Sequence, residues 1–333
     1  MMTIPRANPQ PPFNVTRASH VVLTVPDLQA CRDFYCEVIG LLVSDEDSDT
    51  VYLRGVEEIG HHSLVLKRSG GEPQCERVGA RVYSDEDLER AFHYFQTRGL
   101  APEWVDRPYQ ARTLHVSDWL KMPLELCASM ETRSRNHVQY HLHRGAAALR
   151  FDHFQFLVPD VHKASVHYSE LGFRISDYFT SDAAAGRMLG SFMYRKNNPH
   201  DFVFMTRPGP EMHHFGYIVA EPNALFRACD TAGSLGLSAH VERGPSRHGQ
   251  GHQLYVYFRD PAGHRVEILP PPIQLVDIDE EPKCWAKAER FTWDLPAPRK
   301  WLLEATPFAG VEIEDAVVDP NLFSLEDYLK IGS

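Results

Sequence analysis

Glu267 sits between Val266 and Ile268 in a strand-like run, Arg265–Leu269, where a carboxylate is costly unless a metal or a cation satisfies it. The competing reading is an edge-strand glutamate facing water, the usual place of that residue type. Two histidines share its half of the chain: His153, at the start of the run Phe151–Asp160, and His214, in the run His213–Val219. Two imidazoles and one carboxylate on one face suit non-haem Fe(II), leaving three adjacent positions open, and they suit Mn(II) as well. Zinc is the competing metal, since zinc hydrolases also use two His and one Glu. However, the sequence contains no H-E-x-x-H helix, and these three residues fall on predicted strands. Strand alternation lets only one of His213 and His214 face a cavity. His214 is in phase with Gly216, Ile218 and Ala220, small or apolar residues suited to a cavity lining, so it is the expected ligand and His213 the alternative.

Regular elements must hold these residues. Asp260-Pro261-Ala262-Gly263 is turn chemistry, with proline presetting φ and glycine tolerating positive φ. It closes a hairpin of strands Gln253–Phe258 and Arg265–Leu269, entered from a basic loop with Arg243, Arg247 and His248. Upstream, an alternating strand over Ser19–Asp27 leads into a helix, Leu28–Ile39, with Asp27 as cap and Gly40 as stop. Strands over Val51–Leu53 and His62–Lys67 follow. A second unit reads as strand Val78–Tyr83, helix Asp85–Arg98 capped by Ser84 or Asp85, and strands Thr113–Val116 and Leu124–Cys127. The pattern then recurs: strand Phe151–Asp160, a helix to Leu171, strands Arg187–Tyr194 and Asp201–Thr206, then strand His213–Val219, helix Ala224–Leu235 and the hairpin. The chain therefore reads as an α+β protein of four βαβββ modules paired into two half-open barrel domains. The expected organisation is a flexible arm at 1–17, a first domain without metal at 18–130, a linker at 131–149, a catalytic domain at 150–272 and a tail at 273–333.

Aligning the two halves supplies an internal control. His153 matches His20. Glu267 lies seven residues after Asp260, as Glu125 does after Asp118, and Tyr257 and His115 each precede their glutamate by ten. His200 matches His61, and His214 corresponds to about Val78. A complete set of three ligands thus survives only in the second half.

The 333 residues, 43% hydrophobic and 24% charged, are ordinary for a globular enzyme. A formal charge of −11 argues against a nucleic-acid partner. Met1–Pro12 is proline-rich and lacks a long apolar run, so neither a signal peptide nor a membrane span is expected. Six cysteines without a C-x-x-C pair fit reduced thiols in a cytoplasmic protein.

The chain resembles the type I extradiol catechol dioxygenases of the vicinal oxygen chelate superfamily over roughly residues 15–300, and within them the homoprotocatechuate 2,3-dioxygenases. The residues that carry the likeness are Phe151-Asp152-His153-Phe154, Arg195-Lys196 before His200, His213-His214, Glu242-Arg243-Gly244-Pro245 with Arg247-His248, and Tyr257, Asp260-Pro261, His264-Arg265 and Glu267. Gln155, Phe192 and Ser246 depart from that subgroup's usual asparagine, tryptophan and glycine, and the tail after residue 300 differs. The resemblance implies a glyoxalase-like fold, Fe(II) or Mn(II) held by His153, His214 and Glu267, and cleavage of a substituted catechol by O2 to a hydroxymuconic semialdehyde. It further implies Tyr257 hydrogen-bonded to the substrate oxygen, His200 beside O2 as the acid–base group, and His248 and Arg243 over the substrate, with Gln155 and Phe192 lining the ring. A cytoplasmic homotetramer is the implied assembly. A glyoxalase-like isomerase or lyase would draw ligands from both halves, and a metal-free binding protein would not need the three ligands together. In the tail, Trp285, Trp293 and Trp301 suggest packing over the cavity mouth or at a subunit contact, and Ser324–Lys330 reads as a short capped helix.

Overall fold

The computed structural model describes residues 3–180, 186–285, 293–294 and 297–316. Its first module is β1 (Val15–Val25), α1 (Leu28–Phe34), β2 (Leu42–Glu46), β3 (Thr50–Arg54) and β4 (Leu64–Arg68). The second is β5 (Cys75–Val82), α2 (Asp85–Thr97), β6 (Glu103–Val105), β7 (Thr113–Ser117) and β8 (Pro123–Cys127). The third is β9 (Arg150–Val158), α3 (Val161–Glu170), β10 (Arg174–Thr180), β11 (Met188–Tyr194) and β12 (Phe202–Thr206). The fourth is β13 (Glu211–Ile218), α4 (Asn223–Ser234), β14 (Val241–Arg247), β15 (Leu254–Arg259) and β16 (Arg265–Leu269). After these come β17 (Lys283–Trp285), α5 (Arg299–Leu303) and β18 (Thr306–Pro307). The expected helix Ser324–Lys330 lies outside the described residues.

The modules pair into two sheets, ordered β2-β3-β4-β1-β5-β8-β7-β6 and β14-β15-β16-β13-β9-β12-β11-β10-β17. In each sheet the first strands of two modules run antiparallel at the centre, and each module's last strand joins its own first strand in parallel. This is the four-module α+β architecture of the glyoxalase fold. Local chemistry starts the helices: the side chains of Asp27, Ser84 and Asp160 accept from backbone N–H groups at the openings of α1, α2 and α3. α1 continues as a wider π-turn over Tyr35–Ile39 before Gly40.

Strands of the four modules that the sequence pattern missed lie at or beside sheet edges. β2 and β6 end the first sheet, β14 ends the second, and β10 would end it were β17 not beside it. The stretch read as a basic loop, Arg243–His248, is largely β14. Its Gly244-Pro245 interrupts the alternation, and the register with β15 shifts there. Proline is tolerated because this is an edge strand.

A single buried cluster runs through both halves. Two reciprocal hydrogen bonds brace them. Tyr35 donates to Asp260 at 2.9 Å, and Tyr168 donates to Asp118 at 2.7 Å. Each aspartate also accepts backbone N–H groups of its own hairpin turn. The same residue thus shapes the turn and ties it to the opposite half.

Candidate metal centre

β9, β13 and β16 are neighbours in the second sheet, and they bring His153, His214 and Glu267 to one face. All three are almost wholly buried. Gly216 makes this possible: a Cβ there would lie 2.4 Å from Cε1 of His153, so only glycine leaves room for the ring. His153 Nε2 stands 3.2 Å from His214 Nε2 and 3.1 Å from Glu267 Oε2, and His214 Nε2 stands 3.2 Å from the same oxygen. Donors about 2.2 Å from one centre are about 3.1 Å apart at right angles and about 3.6 Å apart at tetrahedral angles. The triangle therefore has the dimensions of three adjacent corners of an octahedron.

The hydrogen bonds behind the imidazoles decide which nitrogens carry protons. His153 Nδ1 donates to Asp152 Oδ2 at 2.8 Å. Burial raises the Asp152 pKa, but the Lys196 charge and the His153 contact outweigh it and hold the carboxyl well below its usual range. Burial alone would lower the His153 pKa, yet hydrogen bonds to Asp152 and Glu267 raise it to about 9, so an arriving ion displaces a proton shared by His153 and Glu267. Behind His214 the order is fixed by a carbonyl. The Trp301 oxygen only accepts, so His213 holds its hydrogen at Nε2, 2.7 Å away. His213 Nδ1 must then accept from His214 Nδ1, also at 2.7 Å. His214 Nε2 is left as a bare lone pair facing Glu267. His213 points away from the triangle. Burial lowers the pKa of both, that of His214 to about 4. Glu267 is held well below the carboxylate range because contacts with both imidazoles outweigh its burial. Once the proton shared by His153 and Glu267 is displaced, the site offers an anion and a lone pair on each imidazole, which is what a divalent cation requires.

A second triad with metal-ligand spacing, Asp152, His153 and His200, shares His153. There Asp152 is engaged by His153 Nδ1 and by Asn198, so it has less to offer an ion.

Around the triangle, Tyr257 is directly across from Glu267 in the β15–β16 register, with its ring 5.1 Å from that of His214. Its hydroxyl is 3.1 Å from His248 Nε2. His248 stacks on Tyr255 at 3.9 Å. The His200 ring is 4.3 Å from that of His153 and 5.5 Å from that of Phe192. His200 is buried, and its Nδ1 has no hydrogen-bond partner among the described residues. Burial, and then the His153 charge, push its pKa well down. Gln155 pairs across from His214. Arg243 pairs across from Tyr257 and lies 4.4 Å over the Trp301 ring.

Several contributors were not singled out from sequence. Asp294 accepts from Arg243 Nη2 and Tyr255 Oη and faces His248 Nδ1. His213 was weighed only as a ligand, although its backbone carbonyl also accepts from Arg265 Nη1. Trp301 was noted as a packing residue, but its carbonyl, which sets the His213 tautomer, leaves no mark in a sequence.

A family model described as the Glyoxalase/Bleomycin resistance protein/Dioxygenase superfamily matches residues 17–118 and 150–268, and the chain belongs to that superfamily. It is similar to a metapyrocatechase of Geobacillus stearothermophilus, 27% identical, over 91% of this chain and 97% of that one. A manganese-dependent 2,3-dihydroxybiphenyl 1,2-dioxygenase of Geobacillus genomosp. 3 is 25% identical over 83% and 91%. Among solved structures, a variant of homoprotocatechuate 2,3-dioxygenase from B. fuscum superposes with a TM-score of 0.89 at 31% identity, covering 95% of this chain and 90% of that one. Within the superfamily, these likenesses place the chain among the extradiol dioxygenases.

Proposed function

We propose that this protein is an extradiol ring-cleaving dioxygenase that inserts both atoms of O2 into a catechol. The product is of the hydroxymuconic semialdehyde type and keeps every atom of both reactants. The observation that carries this reading is the buried triangle with 3.1–3.2 Å edges, into which two imidazole nitrogens and one carboxylate are turned. His153, His214 and Glu267 would hold Fe(II) or Mn(II), and the manganese-dependent relative supports keeping both metals. Such an ion, held by these three residues, would supply Lewis acidity toward the catechol and a path for electron density from the ring to O2.

The chain's own residues do the rest. Ionised Asp294 keeps the His248 proton at Nδ1, 3.1 Å away, so His248 Nε2 accepts from the Tyr257 hydroxyl. The Tyr257 oxygen then accepts from a catechol hydroxyl and orients the substrate. Neutral His200, packed against His153, has a hydrogen to donate toward the charge that develops on dioxygen. Gln155 and Phe192 line the ring's edge, and Arg243, with Trp301 across it, closes the wall over the substrate. In this reading the tail from residue 273 acts as a lid, supported by the contacts of Trp301 with His213 and Tyr257. A cytoplasmic homotetramer belongs to the same proposal, and light scattering on the purified protein tests its size.

The test of function is anaerobic loading with Fe(II) or Mn(II), followed by oxygen uptake and yellow-product formation across catechol, alkylcatechols, homoprotocatechuate and trihydroxylated rings. Oxygen uptake matched one-to-one by ring-opened product is expected for at least one substrate. Loaded protein that consumes no oxygen with any of them overturns the reading.

A further inference from the structure

The wall that carries Tyr257 contains a fixed anion. Asp294 is partly buried, with 22% of its side-chain surface exposed. Its Oδ1 accepts from Arg243 Nη2 at 2.8 Å and from the Tyr255 hydroxyl at 2.5 Å, and its Oδ2 faces His248 Nδ1 at 3.1 Å. Asp294 is therefore two hydrogen bonds from the Tyr257 hydroxyl, by way of His248. The Arg243 guanidinium is further held by aromatic rings, 4.4 Å from the Trp301 centroid and 5.1 Å from that of Tyr255. Arg265 also bears on Tyr257, and it is matched by Glu242 at 2.5 Å. Among the described residues, Arg243 and Arg265 are thus each already opposed by a carboxylate of the protein itself.

We propose that Asp294 is a specificity-determining residue, and that it commits the site to catechols whose ring substituent is uncharged and against those that carry a carboxylate. This rests on the extradiol reading above. An incoming carboxylate must either draw Arg243 away from Asp294, leaving a partly buried aspartate without its cation, or share the wall with a fixed negative charge. Either arrangement is unfavourable where solvent screening is reduced. An uncharged alkyl or aryl group meets neither obstacle. The selection is repulsive, a device by which discrimination between otherwise similar ligands is strengthened.

Two probes that share the catechol and differ in the charge of a short side chain test this: 4-ethylcatechol and 3,4-dihydroxyphenylacetate. For metal-loaded full-length protein, anaerobic titration calorimetry gives the dissociation constants and oxygen uptake gives kcat/KM. The wild type is expected to favour 4-ethylcatechol by ~10-fold or more in both measures. In Asp294→Asn the ratio between the two probes should shift toward the anion by ~10-fold or more. Reading the ratio cancels whatever both substrates lose from a displaced His248. Asp294→Glu, which keeps the charge, should retain the wild-type preference. Wild-type protein that binds 3,4-dihydroxyphenylacetate as tightly as 4-ethylcatechol overturns the inference and leaves the extradiol reading standing, and so does an unchanged ratio in Asp294→Asn. Failure to bind or cleave either probe overturns the inference, and overturns the extradiol reading as well when catechol, other alkylcatechols and trihydroxylated rings also give no oxygen uptake. The wild-type comparison decides the matter even if a variant fails to fold.

Discussion

The two halves of the molecule hold the same strands in the same register and put them to different use. Gly216 pairs with Glu267 in one sheet, as Gly79 pairs with Glu125 in the other. Each glycine makes room for a histidine ring, His153 or His20, that a Cβ would strike. Counting from those glycines, the partner of His214 in the first half is Arg77. By the same parallel registers His200 corresponds to His62, and Tyr257 to His115. The first half therefore keeps a histidine and a glutamate of the set, yet its carboxylate is saturated. Glu125 meets His20 at 2.8 Å, His115 at 2.6 Å, Gln110 at 2.6 Å and Arg107 at 3.0 Å. Glu267 faces the two ligand nitrogens instead, and the proton it shares with His153 is one that an ion displaces. A metal centre therefore depends on withholding hydrogen-bond donors from the carboxylate as much as on supplying ligands.

The largest effect is expected where that contrast is erased. His214→Arg places the first half's residue in the second half, setting a cation where an ion should bind. Metal retention and ring cleavage should both be abolished, as measured by elemental analysis after gel filtration and by oxygen uptake. His214→Ala should give the same loss. A variant that keeps stoichiometric metal would remove His214 from the ligand set.

Next comes His200. His200→Phe should keep the metal and bind catechol while turnover falls ~10²–10⁴-fold, read by stopped-flow mixing of the anaerobic substrate complex with O2. His200→Asn, which retains hydrogen-bonding capacity, should fall between this variant and the wild type. Wild-type turnover in His200→Phe would make the residue a bystander, and loss of metal would make it a structural support.

Smaller still is the expected cost of freeing the tautomer of His214. His213→Phe removes the acceptor for His214 Nδ1, and partners of this kind are typically worth ~10–100-fold in metal affinity. Competition with a chelator measures it. Affinity equal to that of the wild type would show that the Trp301–His213–His214 chain is not needed to orient the ligand.

Much of this arrangement was legible in the sequence. The recurring strand–helix pattern and the turn at Asp260–Gly263 gave the modules, and the position of His214 relative to Gly216 singled it out from His213. Two positional matches were one residue off: Val78 for Arg77, and His61 for His62. Side chains alternate with a period of two, so a bulge that adds one residue reverses the face, and β1 and β13 both carry such shifts. The missed strands of the four modules lie at or beside the edges, where charge and proline blur the alternation. Asp294 was illegible for another reason. It lies in a tail with no counterpart in the repeat, and its role comes from contacts across 46 and 51 residues of chain.

The last comparison concerns the first half alone and carries the smallest expected effects. Glu125 is fully buried and held well below the usual carboxylate range, because contacts with His115 and His20 outweigh its desolvation. A carboxyl depressed in this way stabilises the fold above the unfolded value of ~4.3, and that contribution is lost as the pH falls through the folded value. Glu125→Gln should therefore cost about 3 kcal/mol at neutral pH, with the difference from wild type shrinking in acid, while metal content stays unchanged. Denaturant melts across pH measure the first, and elemental analysis the second. Arg77→His is the finer probe. It restores an imidazole two residues before Gly79, so that all three ligand types stand at the registers found in the second half. If ligand identity alone made the centre, this chain would bind two ions. Because Gln110 and Arg107 still donate to Glu125, the expected stoichiometry is unchanged. A second ion bound near Glu125, located by anomalous diffraction, would show that ligand identity suffices and that donor saturation is a consequence of losing the metal rather than a barrier to it.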